Sequence, residues 1–238
     1  MLLFIAAATM QAQVQKPIKI KPVSKIDIKI PEPSDICLSP SKTNYFIVSD
    51  GGSLYETDLQ GNITRKAEGY VGLDCEGVYA DKNFVYVAEE FSRKVKIFDI
   101  TTLKLVRTVL VSYNGGRNKA YEGISYNEAK NKFILVTEKS PIYLFELDND
   151  FRVTNEINLT GIARDISAVT YYNNSLWLLS DESMVVFRLN PNDYTVTGSW
   201  QIPVLNPEGL TFDNEGNMIV QSDDMQKIYT FANPEKQQ

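Results

Sequence analysis

The chain has 238 residues, 43 % of them hydrophobic and 23 % charged, with a net charge of −6 and a pI near 4.9. That acidity disfavours non-specific binding to nucleic acid or to an anionic membrane, and no basic stripe interleaved with aromatics marks a nucleic-acid surface. There is no histidine, which excludes Ser-His-Asp and Cys-His nucleophile systems, His-ligated zinc and a histidine base. Any catalysis falls to carboxylates, Tyr, Lys or a metal-bound water.

Residues 1–13 read MLLFIAAATMQAQ. The apolar run is shorter than the roughly 20 residues that span a bilayer. Followed by small residues, it matches the apolar core of a secretory signal, although it lacks a positively charged start; the competing reading is a frayed apolar tail. The signal predicts an exported protein. No Cys lies near it to carry a lipid anchor, and no other stretch approaches membrane length, so no transmembrane segment is expected. Residues 14–23 read as a linker carrying Lys and Pro, and 24–238 as a single domain. Residues 24–30 (SKIDIKI) alternate polar and apolar with period two, as a strand does.

From there the chain repeats. Asp74-Cys75-Glu76-Gly77-Val78-Tyr79 returns as Ala120-Tyr121-Glu122-Gly123-Ile124-Ser125 and as Asn206-Pro207-Glu208-Gly209-Leu210-Thr211. Glu32-Pro33-Ser34-Asp35 is a looser copy, and Ile166-Ser167-Ala168-Val169 fits with Ser in place of Glu. Markers at 32, 76, 122, 167 and 208 give steps of 44, 46, 45 and 41, a period that signals a repeat architecture. Each marker opens a short apolar run. A polar turn follows, then a second run ending in an acid: Asp50, Glu89, Glu138, Asp181 or Asp223. A third apolar run and a more polar, alternating fourth complete the unit. Runs this short, rich in β-branched and aromatic residues, are strands. Four antiparallel strands per unit of this length make a propeller blade. The expected fold is therefore all-β, a five-bladed β-propeller of four-stranded antiparallel blades. The last unit lacks an outer strand, and the strand at 24–30 is expected to supply it, closing the ring and covering two open edges.

Cys37 and Cys75 fall six residues out of phase in this frame, roughly 20 Å along neighbouring strands, too far for a disulfide. Both are expected as buried thiols. Tyr79, Tyr86, Tyr126, Phe133, Trp177 and Phe212 are expected in the core between sheets, with Tyr121 as a candidate ligand contact beside Glu122.

In an antiparallel pair the start of one strand and the end of the next share an edge. The markers Glu32, Glu76, Glu122 and Glu208, with Ser167, therefore face the same mouth of the ring as the second set, Asp50, Glu89, Glu138, Asp181 and Asp223. Asp74 is a further candidate, and Glu90, Glu182 and Asp224 add acid there. Carboxylates about 6 Å apart repel by about 3 kcal/mol per pair at an effective dielectric of 20. A hard cation held by oxygen ligands offsets this, Ca²⁺ better than Mg²⁺ because it tolerates irregular geometry. Protonation through raised pKa values, neutralisation by Arg117, Lys119 or Arg164, and simple satisfaction of backbone donors are the alternatives.

The Glu-Gly markers at 76, 122 and 208, each with a following strand that ends in an acid, resemble the SdiA-regulated family (YjiK-like proteins), distantly similar to NHL-repeat propellers. The resemblance covers about residues 24–231. It implies a five-bladed propeller with a Ca²⁺ site formed by the markers Glu32, Glu76, Glu122 and Glu208, exported to the periplasm or outside in a bacterium, without an assigned activity. Ser167 departs from the pattern and removes one carboxylate from the ring. Two functions stand. One is a monomeric calcium-binding propeller that engages a ligand or protein at its acidic mouth as a binding or scaffold module. The other is a metal-dependent hydrolase of a phosphate ester or lactone.

Overall fold

The apolar runs of each repeat pair as one sheet, and the computed structural model, which describes residues 16–113 and 120–236, contains five such sheets. The N-terminal segments are Ile18–Lys19 (β1) and Ser24–Asp27 (β2). The first blade is Pro33–Leu38, Asn44–Ser49, Ser53–Asp58 and Ile63–Lys66 (β3 to β6). The second is Cys75–Ala80, Phe84–Glu89, Lys94–Asp99 and Leu105–Leu110 (β7 to β10), and the third Tyr121–Asn127, Lys132–Thr137, Tyr143–Leu147 and Val153–Asn158 (β11 to β14). The fourth is Ala168–Tyr172, Ser175–Ser180, Val185–Leu189 and Val196–Gln201 (β15 to β18). The fifth has three strands from its own repeat, Pro207–Phe212, Met218–Ser222 and Lys227–Phe231 (β19 to β21).

The missing outer strand comes from the chain start. β2 pairs antiparallel with β21, Ser24 opposite Thr230 and Asp27 opposite Lys227, whose side chains form an ion pair. The strand that leads into the first repeat is thereby hydrogen-bonded into the last blade. Within the segment read as a linker, β1 lies parallel to β18, with Ile18 opposite Trp200, and gives the fourth blade a fifth strand. Residues 1–13, the expected signal, lie outside the described residues.

The first strands pack side by side around the axis, β3 against β7, β7 against β11, β11 against β15, β15 against β19, and β19 back against β3. A separate apolar core fills each gap between blades; Phe46, Val48 and Leu54 meet Val78, Val87 and Phe98 between the first two, for example. Trp177 and Trp200 of the fourth blade, tilted at 5.1 Å, pack with Leu210, Phe212 and Val220 of the fifth. Tyr121, expected near a ligand, belongs to this packing instead: it is fully buried and its hydroxyl donates to the Val111 carbonyl at 3.0 Å. Tyr79 and Tyr126, expected in the core, are half-buried: they pack against the core between the second and third blades, each ring edge-on to Phe133, and also border the channel. Cys37 and Cys75 are free and buried, as their phase predicted.

Glycine is required where the strands converge. A Cβ on Gly77 would stand 2.8 Å from the Gly123 Cα, and one on Gly209 3.0 Å from the Ile36 nitrogen. The equivalent position in the first blade is Asp35, which is 1 % exposed. Its carboxylate accepts the N–H groups of Ile36 and Val78, each at 2.8 Å, and that of Leu210, so it ties the fifth, first and second blades together. Burial raises its pKa against the pull of those amides. The tight ring and this side chain separate the channel into two mouths.

A carboxylate-lined channel mouth

At the start of the first strands a β-bulge inserts one residue, between Pro33 and Asp35, Cys75 and Gly77, Tyr121 and Gly123, and Pro207 and Gly209. The extra residue is Ser34, Glu76, Glu122 or Glu208, and a bulge re-aims its side chain. With Ser167 these residues line one mouth. Just upstream, Glu32, Asp74 and Asn206 take left-handed backbone (φ 46°, 62° and 42°). Their carbonyls accept the amides of Asp50, Glu90 and Asp223 at 3.0, 2.8 and 3.1 Å, which fastens each entering loop to the turn after the second strand. The hydroxyl preceding the acid does the same: Ser49 donates to the Pro31 carbonyl at 2.8 Å and Ser180 to the Asp165 carboxylate at 2.6 Å. The Ser-Asp motif thus aims its acid by anchoring its serine.

The resulting cavity holds about 280 Å³. Glu32, Glu76, Glu122 and Glu208 all line it, together with Asp50, Glu138, Asp181 and Asp223. Glu90, Asp165 and Glu182 complete its acidic wall. Asp74 joins Asp50 and Glu76 in a tighter cluster, with one carboxylate oxygen from each lying within 4.8 Å of the others. Glu89 is placed elsewhere. It pairs with Cys75 in the ladder, where the first blade pairs Ser49 with Pro33, so the mouth position falls to Glu90. Buried Glu89 accepts the Tyr70 hydroxyl at 3.0 Å and a hydrogen bond from Ser92, and lies 3.7 Å from the Lys96 ammonium. It pins its loop as the serines do in other blades. Register also shows that Ser34, not Glu32, is the first-blade counterpart of Glu76; Glu32 reaches the cavity from the turn before.

Crowding leaves these acids hard to ionise. Burial first, then neighbouring carboxylates, pushes Glu76 and Glu122 well above the usual carboxylate range and Glu208 up to about 8. Glu90 rises to about 7, and Asp50 and Asp181 to about 6, again chiefly by burial. Asp74 lies within hydrogen-bond reach of Asp50 and of Glu90 and helps to raise both. Among the described residues the cavity lining includes a single cation, Lys139, which bridges Glu138 and, at 3.0 Å, Glu182; those partners raise its pKa. Arg164 is exposed and does not line the cavity, while Arg117 and Lys119 lie outside the described residues. Lys139 carried no signal in the repeat frame, because it is one residue past the acid and has no counterpart in other units.

The geometry suits a hard cation. Ligand oxygens stand about 2.3–2.6 Å from Ca²⁺, so two ligands of one ion are at most about 5 Å apart. The Asp50, Asp74 and Glu76 oxygens meet that limit. Glu76 has no hydrogen-bond partner among the described residues, and its neighbours are other acids.

A ring of five four-stranded sheets with acids gathered at one end of its axis defines the class: a five-bladed β-propeller with a carboxylate-lined channel mouth. The chain belongs to the SdiA-regulated family, whose model matches residues 6–231. It is similar to the solved structure of glutaminyl cyclase from Myxococcus xanthus, at 13 % identity and TM-score 0.73, covering 91 % of this chain and 97 % of that one. Hydrazine synthase from Kuenenia stuttgartiensis matches at 17 % identity and TM-score 0.51, over 82 % of this chain and 56 % of that one. The Cps50 (Swd1) propeller domain of Myceliophteria thermophila matches at 12 % and 0.51, over 82 % and 64 %. At these identities the likeness speaks to the fold alone. No curated protein matches the chain. Among the described residues no helix is long and apolar enough to cross a membrane.

Proposed function

We propose that this protein is an exported calcium-binding propeller, acting as a binding or scaffold module whose channel mouth is organised by one Ca²⁺. Asp50, Asp74 and Glu76 hold the ion, with Glu32, Glu90, Glu122 and Glu208 supplying further oxygens. The observation that carries this reading is the convergence of three carboxylate oxygens within 4.8 Å, one of them from a half-buried Glu76 that has no hydrogen-bond donor among the described residues. Bound there, the ion supplies positive charge that lets neighbouring acids ionise. Ca²⁺ fits better than Mg²⁺ because the donors are irregularly placed oxygens. Export rests on the composition of residues 1–13.

A metal-dependent hydrolase is the second reading, favoured by one observation: Glu90 and Glu208 sit at about 7 and 8, where a general base works at neutral pH. Turnover of a phosphate ester or lactone on addition of Ca²⁺ or Mg²⁺, abolished in Glu90→Gln, would select this reading over a purely structural ion. The shared premise is tested by thermal melting in Ca²⁺ and in chelator. At 100 times its Kd a ligand of the native state adds about 2.7 kcal/mol, roughly 5–10 °C for a domain of this size. Asp74→Asn should lose most of that rise. A parent protein that melts identically in calcium and chelator has no such site.

A further inference from the structure

On the far side of the glycine ring the channel opens again, into a blind funnel of about 600 Å³. Its chemistry is opposite to that of the acidic mouth. Two residues beyond the ring, the inner strands of the second, third and fourth blades present Tyr79, Ser125 and Thr170 to the cavity. Ser125 is 2 % exposed, yet its hydroxyl has no protein partner among the described residues, nor have those of Tyr79 and Thr170. Tyr79 and Thr170 are half-buried, and all three hydroxyls line the cavity, where water or an entering polar ligand can pair with them. Aromatic rings wall the funnel on two sides. Tyr172 stacks on Phe212 at 4.1 Å and 9°, and Tyr79 lies parallel to Tyr126 at 6.2 Å and 17°. Among the described residues, five charged ones border the funnel: Lys42, Lys82 and Glu128 are exposed, while Asp81 accepts the Tyr86 hydroxyl and two turn amides, and Asp213 accepts two amides and the Asn217 side chain.

We propose that this funnel is a second ligand site, and that its ligand is a neutral carbohydrate. Each hydroxyl on the floor can donate and accept, and successive blades set them around the axis. A pyranose presents hydroxyls around its circumference in the same way. Its C–H faces pack on aromatic rings, the pairing that apolar pockets with a few polar groups use for orientation. An ion finds no counter-charge on this floor. A second cavity of about 470 Å³ shares Tyr79, Asp81 and Tyr126 as a wall and runs outward between the second and third blades, past Phe84 and Phe151. The site therefore has room for more than one sugar unit.

The test titrates the full chain with cellobiose, maltose and diacetylchitobiose, followed by saturation-transfer NMR and intrinsic fluorescence. At least one should bind saturably, and Ser125→Ala with Thr170→Val should weaken it roughly tenfold, as expected for two lost hydrogen bonds, while leaving the calcium-dependent melting shift unchanged. The proposal is overturned if none of the three sugars binds saturably, or if the double variant binds as tightly as the parent.

Discussion

In chelator, stability should fall as pH rises from 5 to 8. Glu208 shows why: burial lifts its pKa from an ordinary 4.5 to about 8. The folded protein then holds a proton that the unfolded chain releases, so the slope of stability with pH is negative between those values. The stabilising contribution is complete below about pH 4 and is lost as pH climbs through 8. At about 1.36 kcal/mol per pH unit the full interval corresponds to about 4–5 kcal/mol. Water entering the open mouth reduces this, and about 2 kcal/mol is the expected loss from this residue. Glu208→Gln carries no charge at any pH, so in chelator at pH 8 it should exceed the parent by about 2 kcal/mol, roughly 4–8 °C in melting temperature, and match it near pH 4. Urea unfolding at pH 4, 6 and 8 with chelator reads this directly. Apo stability that is flat or rising over the interval, or a Gln variant weaker than the parent at pH 8, would refute the electrostatic argument.

Calcium should be bound with release of protons, so affinity rises between pH 5.5 and 8; calorimetry in buffers of different ionisation enthalpy would count the protons, and a count of zero would contradict the raised pKa values of Asp50 and Glu90. Gly77→Ala should destabilise by about 1–3 kcal/mol in urea, because its Cβ would lie 2.8 Å from the Gly123 backbone; an unchanged midpoint would mean that the ring has slack. Asp35→Ala strips the acceptor from amides of three blades and should cost about 3 kcal/mol or more. Removing residues 1–27 bares the edge of β21 and should lower the melting temperature and promote self-association, visible by light scattering.

The blades were legible because each repeat carries its own strand pattern and turn. The closing strand was legible because seven alternating residues precede a repeat set that is one strand short. Register at the mouth was harder. A period-two pattern says which residues share a face, but an inserted bulge residue shifts the frame by one. The extra residue is marked by Glu-Gly in three blades and unmarked in the first, where Ser34-Asp35 stands in its place. Glu32 was aligned with Glu76 for that reason, and Glu89 with Asp50 because blade two offers two consecutive acids. Asp35 was invisible as a keystone: nothing local tells that a carboxylate occupies a position glycine holds elsewhere. Tyr121 sits beside Glu122 in sequence, but neighbours on a strand face opposite sides, and its ring enters the core. The funnel at the other mouth was missed because its hydroxyls come one from each of three repeats and mean little until the blades bring them to one floor.

The most direct measurement is equilibrium binding of ⁴⁵Ca²⁺ to the full chain at pH 7.5, for the parent and for Asp74→Asn with Glu76→Gln. One tightly held ion per parent chain, lost from the double variant while its fold persists by circular dichroism, is the expected result. No bound calcium in the parent, or an undiminished ion in the variant, would contradict the placement of a cation among Asp50, Asp74 and Glu76.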